Sequence, residues 1–169
     1  ALVMAREGYD LGLIARREEL LQELKEEIVA KYPDRKVCYA VCDVRDDEKT
    51  RSTIFSLADQ LGGLGVFVAN AGRGGPTPGQ KVYWPKHKKV AEINFVAAIG
   101  SIEVAKEIMI KQRAGTLVAI SSIAAARGFP QASIYSATKA GLAVYLESLR
   151  VDLKKCGITV TSIHPGYID

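Results

Sequence analysis

Short apolar and β-branched runs recur along this chain, each separated from the next by a longer stretch of helical composition. The runs are LGLIA (11–15), KVCYAVC (36–42), GVFVA (65–69), GTLVAIS (115–121) and GITVTSI (157–163), which predicts five strands. The intervening stretches predict helices over 17–31, 47–61, 86–111 and 135–155. The opening residues ALVMAREG read as the end of a further helix, closed at Gly8 in the way glycine commonly ends a helix before a strand. Strands joined by a dozen or more helical residues pair in parallel through right-handed crossovers. The expected fold is therefore α/β: a doubly wound, Rossmann-like parallel sheet between two helical layers, as a single domain over 1–169.

In open parallel sheets ligands bind beyond the carboxyl ends of the strands. The residues just past each run are Arg16 and Arg17, then Asp43, then Asn70, Ala71 and Gly72, then Ser121 and Ser122, and finally Pro165 and Gly166. One component of a nucleotide-binding domain is not found, a glycine-rich turn running from a strand into a helix start. GGLGV (62–66) precedes a strand instead of following one, and GRGGPTPG (72–79) runs through prolines. The expectation is that an N-terminal strand with that turn, and the C-terminal end of the domain, lie outside this sequence.

Tyr135 and Lys139, in SIYSATKAG (133–141), stand four apart in the first turns of a predicted helix, where i and i+4 share a face. Spacing alone carries little weight, because random placement of this many Tyr and Lys gives roughly 0.5 such pairs. Indeed Tyr32 and Lys36 have the same spacing, but Pro33 removes that pair from helical geometry. A phenol is a poor acid–base catalyst near neutral pH, and a nearby ammonium improves it by favouring the phenolate. On the residues alone, Tyr135 as a boundary aromatic and Lys139 as a solvated helix residue is an equally open alternative.

The ordered motifs resemble those of the short-chain dehydrogenases/reductases over nearly the whole chain. They are ARR (15–17), CDV (42–44), NAG (70–72), EIN ending at Asn94, ISS (120–122), YSATK (135–139) and PG (165–166), with 28 residues from Asn94 to Ser122 and 13 from Ser122 to Tyr135. The resemblance implies hydride transfer between a nicotinamide cofactor and a small carbonyl or secondary alcohol. It implies Tyr135 as general acid or base, Lys139 as its cationic neighbour and ribose ligand, Ser122 positioning the substrate oxygen, and Asn94 holding a water in the proton relay. For the cofactor it implies Asp43 and Val44 at the adenine, Asn70, Ala71 and Gly72 along the cleft, and Pro165, Gly166 and Ile168 at the carboxamide. The lesser alternative for Asn70 and Asn94 is a turn residue and a buried amide, and Asp43 can cap the following helix, a role compatible with an adenine contact.

Three departures from the family pattern stand out: the absent glycine-rich turn, Ala69 in place of the usual first asparagine before NAG, and an end at Asp169 before the expected threonine. Charge argues for the cofactor type. An NAD-preferring site offers the ribose a carboxylate after this strand, whereas a 2′-phosphate calls for arginine. Here Ala15 is followed by Arg16 and Arg17, so NADP(H) is expected over NAD(H), with Arg16 as the main ligand. Phe129, Pro130 and Gln131 are expected to line part of the substrate pocket. A cofactor-binding sensor without turnover is the alternative, against which the full Asn94, Ser122, Tyr135 and Lys139 set argues.

Composition narrows the partners. With 48% apolar residues, 25% charged and net charge +4, the chain has the make-up of an ordinary globular domain. The start lacks a signal peptide's basic region and apolar run, and no apolar stretch reaches the roughly 18–20 residues of a membrane span, so a cytoplasmic protein is expected. Cys38, Cys42 and Cys156 form no disulfide framework; the first two lie about 13 Å apart along one strand. With only His87 and His164 besides, no metal site is expected. KVYWPKHKK (81–89) interleaves aromatics with lysines, but a solvated helix start accounts for it and no nucleic-acid binding is expected. The family resemblance implies a homodimer or homotetramer built through the apolar helical segments 95–110 and 142–153.

Overall fold

A computed structural model describes residues 1–167 of the chain, so Ile168, one of the expected carboxamide contacts, lies outside the described residues. The chain divides into two compact units, Ala1–Leu64 and Gly65–Asp169. In the first, β1 (Leu11–Ala15) and β2 (Val37–Val41) pair in parallel, Leu11 opposite Val37 and Ala15 opposite Val41. Successive strand residues point to opposite faces, and both faces of β1 are used. Leu11 and Leu13 pack with Ala5 and Leu2 of α1 (Leu2–Arg6) and with Leu24 and Ile28 of α2 (Glu18–Lys31). Gly12, between them, has its Cβ position 3.4 Å from Leu57 and Leu61 of α3 (Asp47–Leu61). Helix, sheet and helix are thus stacked within this unit as the periodicity predicts.

α3 illustrates how the boundaries are set. The Asp46 carboxylate accepts the Lys49 N–H at 3.0 Å, capping the first turn, and Gly62 at φ +78° closes the last, so the alternative role of Asp43 as the cap falls to Asp46.

In the second unit three strands pair in parallel in the order β3 (Val66–Ala69), β4 (Gly115–Ile120), β5 (Ile158–Ile163). Leu117 and Ala119 on β4 and Ile158 and Val160 on β5 are buried, while Thr159 and Thr161 alternate outward. Gly115, on the buried face of β4, lies against Met109 of α5 (Ala98–Gln112), and α6 (Ser133–Asp152) packs on β5. Burying Leu142, Leu146 and Leu149 of α6 contributes about 1.5–3 kcal/mol per side chain.

The helix expected over 86–111 is present but not uniform. It runs as α4 (Trp84–Ala91), a π-helical turn (Glu92–Ala97) and α5, with right-handed helical backbone angles at the joins. Strand ends otherwise fall within a residue of the expected ones. The cysteines are free; Cys42 is buried and its thiol lies 3.6 Å from the Thr50 hydroxyl. No described helix is long and apolar enough to cross a membrane, and the described residues hold no cluster of three metal-ligating side chains.

Candidate active site

α6 begins at Ser133, so Tyr135 and Lys139 fall in its first two turns on one face. The Lys139 side chain is buried (4% exposed), its ammonium donating to the Ile120 carbonyl at the end of β4 at 2.6 Å and standing 5.9 Å from the Tyr135 ring centre. Burial pushes the lysine pKa below its ordinary value, since a charge loses solvation where water is excluded. This is a different environment from that of a solvated helix lysine. Ser121 ties strand to helix, its hydroxyl donating to the Lys139 carbonyl at 3.0 Å and its N–H to Ile163 at 2.7 Å. Ser122 caps a short 3₁₀ turn, Ile123–Ala125, its hydroxyl accepting the Ala124 N–H at 3.1 Å.

Two loops meet ahead of α6. Gln131 adopts φ +59°, and its carbonyl accepts both the N–H and the hydroxyl of buried Thr77, at 2.7 and 3.2 Å. The loop after β3 is fixed a second time by Asn94, which is fully buried in the π-helical turn. The Asn94 amide accepts from the Arg73 N–H at 2.7 Å and donates to the Arg73 carbonyl at 2.8 Å, with a longer contact to the Thr138 hydroxyl at 3.4 Å. A π turn adds a residue to the helical repeat and re-aims the side chains around it. Here a polar amide is turned inward, and both its oxygen and its nitrogen are bonded to protein.

A cavity of about 630 Å³ opens among these elements. Of the residues expected to form the site, Asn70, Gly72, Ser122, Tyr135, Lys139, Pro165 and Gly166 line it. Asn94 stands behind the lining, and Ala71 is exposed but outside it. Pro130 and Gln131 also line the cavity, whereas Phe129 does not. A Cβ at Gly72 would sit 3.7 Å from Lys139 Nζ and Asn94 Oδ1, and one at Gly74 would sit 3.8 Å from the Tyr135 ring. The wall thus passes close to both side chains because it carries no side chains of its own at those points. Sequence reasoning missed Thr77, Thr138 and Arg73; Thr138, three residues after Tyr135 on the helix, was the one with a positional signal.

The other expected cofactor residues belong to the first unit. Arg16 and Arg17 are exposed past the end of β1, and Asp43 and Val44 follow β2, half-buried. Asp43 is gripped by Arg45, which sequence reasoning passed over: Nε to Oδ1 at 3.0 Å, Nη2 to Oδ2 at 2.6 Å and the backbone N–H to Oδ1 at 3.1 Å. Arg16 approaches the same carboxylate at 3.9 Å. The hydrogen bond from Arg45 holds the Asp43 pKa down at about 2, against an ordinary 3.8. A depressed folded-state pKa contributes stability above the ordinary value that is lost as pH falls toward the folded one. Replacing Asp43 with Asn is therefore expected to flatten the loss of thermal stability between about pH 4 and 2, measured by melts across that range. An unchanged acid limb would rule out this carboxylate as its source.

With parallel strands, helical crossovers and a cavity at the strand ends, the fold is Rossmann-like α/β. Residues 1–169 match the family model described as short chain dehydrogenase. The chain belongs to that family, whose members are NAD(P)(H)-dependent oxidoreductases. An uncharacterized oxidoreductase of Mycobacterium tuberculosis is 40% identical over 167 residues, covering 98% of this chain, and this chain spans 66% of that relative's length. A 3-oxoacyl-[acyl-carrier-protein] reductase of Staphylococcus aureus is 32% identical over 169 residues, covering 99% of this chain and 68% of the relative. Among solved structures, an NAD+-bound xylitol dehydrogenase superposes with a TM-score of 0.94 at 27% identity, over 99% of this chain and 64% of that one.

Proposed function

We propose that this chain carries the catalytic site of an NADP(H)-preferring oxidoreductase acting on a carbonyl or secondary alcohol, with Tyr135 as the general acid or base. The observation that carries it is the buried Lys139 ammonium beside the Tyr135 ring at the wall of a cavity that Ser122 also lines. A chain selected only for stability gains little by burying a lysine against a carbonyl; one that stabilises charge developing on a phenol oxygen gains directly.

The residues suit the family's cofactor. Hydroxyl, amide and ammonium groups of Tyr135, Ser122, Asn70 and Lys139 surround a cavity whose volume falls within the range of ligand sites, roughly 300–1,000 Å³. The bound nicotinamide supplies or accepts the hydride. The protein's part is the proton: Tyr135 gives it to a carbonyl oxygen or takes it from an alcohol, Lys139 stabilises the phenolate side of that exchange, and Ser122 donates to the substrate oxygen. In this reading Asn94 holds the water of the proton relay, and its side chain also fixes the loop that faces the reacting groups. Lys139 also bonds the ribose, Asn70, Ala71 and Gly72 shape the cleft, and Pro165, Gly166 and Ile168 hold the carboxamide.

NADP(H) preference rests on Arg16 and Arg17 following Ala15, where a carboxylate would favour the unphosphorylated ribose. Asp43 and Val44 take the adenine. Exposed Val144 and Val151 lie seven residues apart on one face of α6, which suits the helix-to-helix contact of a homodimer or homotetramer.

The function is tested by following NADPH oxidation by the full-length protein against aldehydes, ketones, quinones, ketosteroids and 3-ketoacyl thioesters, alongside titration of both cofactors. Turnover of at least one class and markedly tighter binding of NADPH than NADH are expected. Equal affinities would overturn the cofactor assignment, and binding of cofactor with no turnover of any class would point to a sensor.

A further inference from the structure

We propose that the substrate carries an anionic group, a carboxylate or a phosphate, bound by the Arg73 guanidinium at the cavity wall. The inference rests on the oxidoreductase reading above and specifies its substrate class. Its starting point is the sequence of the wall, Gly72-Arg73-Gly74-Gly75, in which the sole side chain is an arginine. Gly72 and Gly74 lie against Lys139 and Tyr135, so Arg73 is one residue, ~3.8 Å of chain, from the points where the wall meets the reacting groups.

Arg73 is also held from beneath. Both of its backbone polar groups are bonded to the buried Asn94 amide, at 2.7 and 2.8 Å. A ligand group presented from a fixed backbone point loses less freedom on binding than one on a loose loop. Such anchoring is not needed for a solvated surface arginine.

Charge supports the same conclusion. Among the described residues the cavity is lined by two cations, Arg73 and Lys139, and by no carboxylate. Lys139 donates to the Ile120 carbonyl and in the reading above serves Tyr135 and the ribose, whereas the Arg73 guanidinium has no hydrogen-bond or ion-pair partner among the described residues. The surroundings reinforce it: residues 65–169 contain thirteen Lys and Arg against six Asp and Glu. Lys86 reaches the same stretch of wall, its ammonium 2.7 Å from the Pro76 carbonyl. A cleft of one charge sign raises the local concentration of the opposite ion, and the planar guanidinium matches carboxylate or phosphate oxygens two at a time.

The test uses the full-length protein with 2-, 3- and 4-oxo acids, each beside its methyl ester, and with dihydroxyacetone phosphate beside dihydroxyacetone. NADPH-oxidation rates are compared for wild type, Arg73→Gln and Arg73→Lys. At least one anion is expected to exceed its neutral partner about tenfold or more in kcat/KM. The ratio should approach one in Arg73→Gln, recover in part in Arg73→Lys, and shrink with added salt. Which pair shows it distinguishes carboxylate from phosphate. Calorimetric titration of the same probes into Tyr135→Phe, with and without Arg73→Gln, reads binding without turnover.

Neutral substrates turned over as well as their anions, or an anion preference that survives Arg73→Gln, would overturn the anionic-substrate proposal and leave the oxidoreductase reading standing. Arg73-dependent binding of an anion with no turnover of any probe would do the reverse. Silence in both arms counts against both.

Discussion

Tyr135→Phe is expected to lower kcat by about 10²- to 10⁴-fold, the range ordinarily contributed by one positioned acid–base group. Phenylalanine keeps the ring that lies against Gly74 and beside the Lys139 ammonium, so folding should survive. Only the proton carrier is removed. Cofactor affinity, followed by titration, should change far less than turnover, because Lys139 and the cleft residues remain. A variant that binds NADPH and still reduces its substrate at the wild-type rate would remove Tyr135 from the chemistry. If turnover and cofactor binding fell together, the phenol would be a cofactor ligand, and proton transfer would have to be sought elsewhere in the cavity.

Asn94→Ala should have the second largest effect, on folding and turnover alike. The side chain is completely buried, and its amide makes two short bonds to Arg73. Deleting it removes both, leaves two backbone groups to find new partners and opens a small void; the combined cost is about 3 kcal/mol. The loop that meets Lys139 and Tyr135 then loses its fixing point, so kcat should fall beyond what stability alone explains. Asn94→Asp separates the contributions. A carboxylate can accept from the Arg73 N–H but cannot donate to its carbonyl, so it should restore part of the stability in thermal melts and little of the rate. Recovery of both to wild-type levels in Asp would mean that the donated bond does not matter.

Much of this molecule was legible in advance because buried parallel strands are written as continuous apolar runs. The five runs locate β1 to β5 to within a residue, and the helices between them follow from length and composition. The side chains at the strand ends were legible for a topological reason: a parallel sheet gathers its carboxyl ends at one edge. Asn70, Ser122 and Pro165 therefore reach one cavity although they lie far apart in sequence.

What escaped prediction depends on contacts that no local pattern encodes. The pair of hydrogen bonds from Thr77 to the Gln131 carbonyl spans 54 residues, and the amide of Asn94 meets Arg73 across 21. Neither leaves a periodicity. The division of the helix at 92–97 was hidden for a related reason, since α and π turns draw on the same residues and differ only in which carbonyl each N–H finds. Asp43 shows the opposite failure: two acids, Asp43 and Asp46, stand ahead of one helix, and only geometry decides that the second caps it while the first engages Arg45.

The π-helical turn at Glu92–Ala97 also has a consequence for how this helix tolerates length changes. A π turn is an α-helix accommodating one surplus residue, so a single-residue deletion between Glu92 and Ala97 has a ready outcome: a regular helix with α4 and α5 left in their own registers. Most one-residue deletions in a helix rotate everything beyond them by about 100°; this one would be absorbed locally. The molecule would then keep its hydrophobic contacts and lose the inward aim of one amide, which makes the segment a natural place to disconnect stability from activity by shortening the chain instead of changing its chemistry.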